Sequence, residues 1–165
     1  QLIGTKVKLP EAESAFVAGL LHDLGKVVLD QYLHTEFIEI LLLVKKKNIS
    51  FVAAEIEVLG VTHAQIGRWL AIRWNLPMEL IEAITFHHQP HYAKEAVRLT
   101  SIVHFADILS KKLKLGYSGD NKIPAFNSHA KNILGIGNIA IQDYMTDLNH
   151  AMENADSFLS IIQQT

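Results

Sequence analysis

Gly19-Leu20-Leu21-His22-Asp23-Leu24-Gly25-Lys26 sets an imidazole and a carboxylate side by side among leucines, at the end of a segment that runs apolar from Ala15. A charged carboxylate in such surroundings is costly unless it is paired or bound to a cation. Consecutive helical residues diverge by about 100°. At a helix end, however, both side chains can still reach one point between neighbouring helices. The stretch therefore predicts a helix that stops at a polar site, with Gly25 as its stop or bend.

Helical spacing extends outward from there. Pro10-Glu11 opens the segment that leads to His22, with Pro and an acid both suited to a first turn. Val27, Val28, Leu29, Tyr32 and Leu33 predict a short second helix. Thr35 caps a third through Phe37, Ile40 and Val44, with Lys45-Lys46-Lys47 as its cationic last turn. Ser50 starts a fourth, through Glu55, Ile56 and Glu57 to a stop at Gly60. Thr62 caps a fifth that reaches Trp74, and Pro77 opens a sixth that reaches His87 and His88 before Pro90. Glu95 to Leu115 is the longest uninterrupted pattern. Gly116 to Asn132 lacks periodicity and reads as a loop or lid. Two last helices are expected, one around Ile139–Leu148 and one around His150–Ile162. Only Asn48 to Val52 alternates like a strand, too briefly to make one. The fold class is all-α, an orthogonal multi-helix bundle forming one domain over residues 1–165.

Hydrophobic residues make up 49% and charged residues 19% of the 165, which excludes a disordered tail and allows a core burying about two-thirds of the unfolded surface. A net charge of −2 without a basic stripe argues against nucleic acid as a partner. There is no cysteine, so neither disulfides nor thiolate metal sites are possible. No run of about 18 apolar residues exists to cross a membrane, and a cytoplasmic location is expected. The chain opens at Gln1 without a signal-peptide pattern, which suggests a fragment lacking upstream helices.

Nine histidines are present, and their placement carries the chemistry. His63 stands at the start of a helix with Gly67 one turn on, where a second helix can approach closely. His87 and His88 end a helix. Asp107 lies in an apolar stretch that reads as core, on the same face as His104. Imidazole and carboxylate together are ligands for iron, manganese, zinc or nickel. Such ions acidify bound water and polarise phosphoryl oxygens. His22, Asp23, His63, His87 and Asp107 are expected to converge in one cleft. Lys26 could neutralise a substrate phosphate, in a catalytic role, or simply reach solvent. His34, His91, His129 and His150 are expected at the surface, and Trp69 and Trp74 in structural roles.

The stretch from Gly19 to Lys26 resembles the signature of HD-domain proteins. Two further stretches are similar in order and spacing to the HDOD branch: Glu57 to Gly67, followed by Trp74-Asn75-Leu76-Pro77, and Ala83 to Pro90. The resemblance covers about Phe16 to Leu109 and implies an HD-type helical fold. It also implies metal ligands at His22, Asp23, His63, His87, His88 and Asp107.

Departures from the catalytic relatives matter as much. Those relatives carry a histidine upstream of the His-Asp doublet, and none precedes His22 here. Where HD-GYP cyclic-di-GMP phosphodiesterases have His-His-Glu and a Gly-Tyr-Pro segment, this chain has His87-His88-Gln89 and then His91-Tyr92. The resemblance thus implies a signal-transduction output module with a partial or vestigial metal site, working with protein partners or adjacent signalling domains. Two alternatives stand beside it. One is a metal-dependent phosphohydrolase acting on a nucleotide or cyclic nucleotide. The other is a helical domain whose histidines are only structural.

Overall fold

Two glycines decide how closely the central helices meet. A Cβ on Gly25 would lie 1.9 Å from the backbone oxygen of His63, and one on Gly67 would lie 2.8 Å from a methyl of Ile84. Gly25 and Gly67 face each other across this contact, with a Gly67 Cβ only 3.4 Å from the Gly25 nitrogen. The crossing is thus built at backbone separation, which only glycine permits.

The computed structural model describes residues 2–6 and 12–162. Among these are ten α-helices, a 3-10 turn at Pro90–Tyr92 and no strand. The helices are α1 (Leu2–Lys6), α2 (Ala12–Leu21), α3 (Leu24–Tyr32), α4 (His34–Lys47) and α5 (Phe51–Leu59). They continue with α6 (His63–Arg73), α7 (Met78–Phe86), α8 (Val97–Lys112), α9 (Ser128–Leu134) and α10 (Asn138–Ile162). The fold is an all-α multi-helix bundle.

Local chemistry explains the boundaries nearest the site. Ser50 Oγ accepts the Ala53 N–H at the start of α5, and Gly60 closes that helix at φ 72°. Thr62 and Gln65 form a reciprocal capping box at the start of α6. Such a cap stabilises by about 1 kcal/mol. The three lysines do close α4, followed by Asn48 in the left-handed region.

α8 carries the main core, with Leu99, Ile102, Val103, Phe105 and Leu109 buried. Phe105 stacks on Phe126 at 4.7 Å and meets Tyr144 edge-on at 5.2 Å. Two smaller clusters flank it: Ile40, Val44, Phe51 and Ala54 between α4 and α5, and Ala71, Ile81 and Ile84 between α6 and α7.

Several expectations change. Gly25 lies inside α3 rather than at a stop, because its role is close approach to His63. The third expected helix begins at His34, with Leu33 rather than Thr35 at its cap and no capping hydrogen bond. The expected loop ends early: Asn127 Oδ1 accepts the N–H groups of His129 and Ala130, which starts α9. The two last helices are one, α10. At 25 residues it exceeds the 16 of α8, since neither Gly nor Pro interrupts it. The expected opening at Pro10-Glu11 lies outside the described residues. Trp69 and Trp74 are 55% and 53% exposed, so neither is a core residue. The buried face of α6 is His63, Ala64, Gly67 and Ala71. Helices packed this tightly leave no room for an indole there.

Replacing Gly25 with Ala must push α3 and α6 apart, because the obstacle is backbone. We expect Gly25→Ala to cost about 3 kcal/mol or more. Gly67→Ala should cost less, as only a methyl of Ile84 must move. Urea unfolding of the two variants beside the parent chain reads this order directly.

Candidate metal centre

Four helix ends supply five polar side chains. His22 follows the last residue of α2, Asp23 precedes α3, His63 opens α6, and His87 and His88 follow α7. Three of the rings have Nδ1 committed. His22 Nδ1 donates to the Gly19 carbonyl at 2.7 Å, and His87 Nδ1 to the Ile84 carbonyl at 2.8 Å. His63 Nδ1 donates to the Glu55 carboxylate at 2.8 Å. A neutral imidazole that donates through one nitrogen presents a lone pair at the other.

Those other nitrogens converge. His63 Nε2 lies 3.4 Å from His87 Nε2 and 3.0 Å from His88 Nε2. Asp23 Oδ1 is 3.2 Å from His63 Nε2 and 3.7 Å from His87 Nε2, while Oδ2 is 3.5 Å from His22 Nε2. By strict geometry Asp23 Oδ1 is buried without a hydrogen-bond partner, its contact with His63 being electrostatic. An unpartnered carboxylate oxygen among several imidazole nitrogens suits a cation. Two triplets have ligand atoms all within 4.8 Å of one another: His63, His87 and His88, and His22, Asp23 and His87. This donor set could hold a metal ion.

Electrostatics sort the members. Burial pushes the Asp23 carboxyl up, but contact with His63 and the charges of His22 and Lys26 outweigh it and hold it well below the usual carboxylate range. Burial drives His87 well below its ordinary value, with His88, His22 and His63 adding repulsion. Burial, then His63, lowers His88 to about 2. Burial also pushes His63 down, yet Asp23 and Glu55 prevail and raise it. His87 and His88, held neutral beside an ionised Asp23, have the protonation states that metal ligands need.

The remaining predicted residues fall elsewhere. Asp107 belongs to neither triplet, and Lys111, one turn later on α8, pairs with it at 3.1 Å. It lines a cavity of about 830 Å3 that also borders His22 and Asp23. Lys26 does not point freely to solvent. Its Nζ donates to Asp23 Oδ2 at 2.7 Å and to the Ser118 carbonyl at 3.0 Å, tying the segment after α8 to the site. Asp120 fastens the same segment by accepting the Phe51 N–H at 2.6 Å. His104 shares no task with Asp107. Its Nδ1 donates to the His87 carbonyl and its Nε2 accepts the Asn127 N–H. His34, His91, His129 and His150 are exposed, as expected.

Sequence reasoning passed over Glu55, which is fully buried. A signal existed: in Phe51-Val52-Ala53-Ala54-Glu55-Ile56-Glu57-Val58 it occupies the helical stripe of Phe51 and Ala54, where a carboxylate is out of place.

The pKa directions set the pH response of the metal-free protein. The unfolded chain takes up protons at His87 and His88 near pH 6.5, while the folded chain holds both neutral. Their contribution is therefore intact above about 6.5 and is lost as pH falls. His88 alone accounts for about 2 kcal/mol between pH 6.5 and 5. His63, raised, works in the opposite sense. We expect a lower urea midpoint at pH 5 than at pH 7.5, and a smaller difference in His88→Gln.

Comparison with known proteins places this geometry. An uncharacterised protein of Treponema pallidum (strain Nichols) is 38% identical over 95 residues, 57% of this chain and 18% of that protein. The chain therefore spans less than a fifth of this curated relative. A crystal structure of an HDOD domain protein of unknown function from Geobacter sulfurreducens superposes with a TM-score of 0.79 at 24% identity, covering 93% of this chain and 55% of that one. A candidate signal transduction protein from Marinobacter aquaeolei VT8 gives 0.71 at 23% identity, covering 90% and 32%. These two likenesses establish the fold. Residues 1–90, more than half of the chain, match the HDOD domain itself, and the chain belongs to the HDOD domain family.

Proposed function

We propose that the chain is a signal-transduction output module of the HDOD type, one domain over residues 1–165, located in the cytoplasm and working beside adjacent signalling domains or protein partners. A divalent cation (iron, manganese, zinc or nickel) would be held by His22, Asp23, His63, His87 and His88 as a structural or regulatory ligand. The Marinobacter protein's description as a candidate signal transduction protein supports the setting. No described helix is long and apolar enough to cross a membrane.

The observation that carries the non-catalytic reading is the placement of Asp107. The carboxylate that the family resemblance implies as a late ligand pairs with Lys111 and stands outside both ligand triplets. Gln89 follows the histidine pair where the phosphodiesterases have Glu, and Gln has no charge to bind a cation or take a proton. Lys26 is held by Asp23 and Ser118 rather than left free for a substrate phosphate. A cation bound here would supply Lewis acidity and a more acidic bound water. The residues around it orient their lone pairs, and the nearby Asp107 carboxylate is paired with Lys111.

A metal-dependent phosphohydrolase acting on a nucleotide or cyclic nucleotide is the second reading. The cavity beside His22 and Asp23 favours it, being large enough for a small ligand and walled in part by Lys111, Lys114 and Lys122.

Two measurements separate the readings. As purified, the domain should carry a partial complement of metal that dialysis against a chelator removes, and added Mn2+ or Zn2+ should raise Tm in the parent but not in His87→Ala. Stoichiometric metal that survives dialysis would overturn the weak-site reading. Incubated with manganese or iron, the domain should not hydrolyse cyclic-di-GMP or a panel of phosphomonoesters and diesters. Asp23→Ala should cost about 1–3 kcal/mol of stability. Robust turnover that disappears in a folded Asp23→Ala variant would establish the enzyme instead.

A further inference from the structure

We infer that Glu55 is a positioning residue for the cluster: its buried carboxylate fixes the His63 proton on Nδ1 and so turns the Nε2 lone pair toward Asp23, His87 and His88. The inference rests on the cation reading above and adds to it the group that sets the geometry of its most buried ligand.

Glu55 and His63 are both fully buried. Glu55 Oε1 accepts the His63 backbone N–H at 2.9 Å, and both carboxylate oxygens lie within 2.9 Å of Nδ1. A buried carboxylate is expensive unless its oxygens are satisfied, so an apolar side chain would complete the buried stripe of α5 at lower cost. Thr62 and Gln65 satisfy each other's backbone N–H groups at the start of α6 and leave that of His63 to Glu55. Beyond that backbone contact, the carboxylate supplies an acceptor for Nδ1.

The other rings show why His63 needs one. His22 and His87 each follow a helix, and each gives its Nδ1 proton to the carbonyl three residues back, Gly19 or Ile84. Those carbonyls are among the last four of a helix, which have no partner within it. His63 begins a helix, so no such carbonyl lies behind it. Glu55 replaces that missing acceptor from the neighbouring helix. Its charge also makes the imidazole a stronger donor of its lone pair, the way an acidic partner tunes a metal-bound histidine.

The test uses the whole chain, Zn2+ as probe and a chromophoric chelator as competitor. Glu55→Gln should weaken Zn2+ binding by about 10–100-fold while the zinc-free protein still unfolds cooperatively, and Glu55→Asp should recover part of the loss. Nitrogen NMR of the zinc-free protein at alkaline pH should place the His63 proton on Nδ1 in the parent and shift that balance in Glu55→Gln. A folded Glu55→Gln variant with parental Zn2+ affinity and an unchanged His63 tautomer would overturn the inference. So would a parental His63 protonated on Nε2, a result that needs no variant to fold. Absence of Zn2+ binding in the parent would defeat the cation reading instead, and the tautomer measurement would still decide the role of Glu55.

Discussion

The closeness of α3 to α6 at Gly25 is the constraint on which the cluster and the helices around it depend. With no side chain at that position, the backbone of α3 comes up against the backbone of His63. Asp23 stands two residues before Gly25, so the same contact delivers its carboxylate to within 3.2 Å of His63 Nε2. Gly67, one turn into α6, admits the other side of the crossing and lets Ile84 of α7 close in. α7 in turn leads into His87 and His88. Two absent Cβ atoms thus bring the ends of four helices to one point. The site depends on the packing rather than being added to it.

Bringing these groups together has an energetic cost that the protein meets in a particular way. Rings whose Nδ1 protons are engaged turn lone pairs inward, next to a carboxylate oxygen with no hydrogen-bond partner. In a dry interior such an arrangement is repulsive unless a proton or cation sits among the acceptors. His63, raised above its ordinary value between Asp23 and Glu55, is the member best able to take the proton. His87 and His88, pushed down by burial, are the members that stay neutral. The charge pattern is uneven because the carboxylates flank His63 and not the other two.

Much of the bundle was legible because its signals are local. Ser50, Thr62 and Pro77 mark helix starts through their own caps or fixed dihedrals, and the structure keeps all three. Where the reading failed, the deciding partner was distant or the local signal was read for the wrong reason. Asn127 starts α9 with a side-chain cap, yet it sits in a stretch whose Gly, Asp and Pro content says loop. Trp69 and Trp74, expected in structural roles, stand half exposed because α6 is buried on its small-residue face. That choice is made by α3 and α7, and no property of the indoles predicts it.

The cluster itself divides along the same line. His22, Asp23, His63, His87 and His88 were readable because each lies at a helix end, where a polar side chain among apolar neighbours stands out. Asp107 shared that apolar setting, and its ion-pair partner, Lys111, is only one turn away on the same helix. Glu55 was hidden because a lone acid in a helix reads as exposed until its stripe is drawn through Phe51 and Ala54. Both carboxylates call for the same check. A carboxylate on an apolar face should first be tested against a base three or four residues along its own helix. If none is there, its partner must come from another element, and that search leads from Glu55 to the histidine that opens α6.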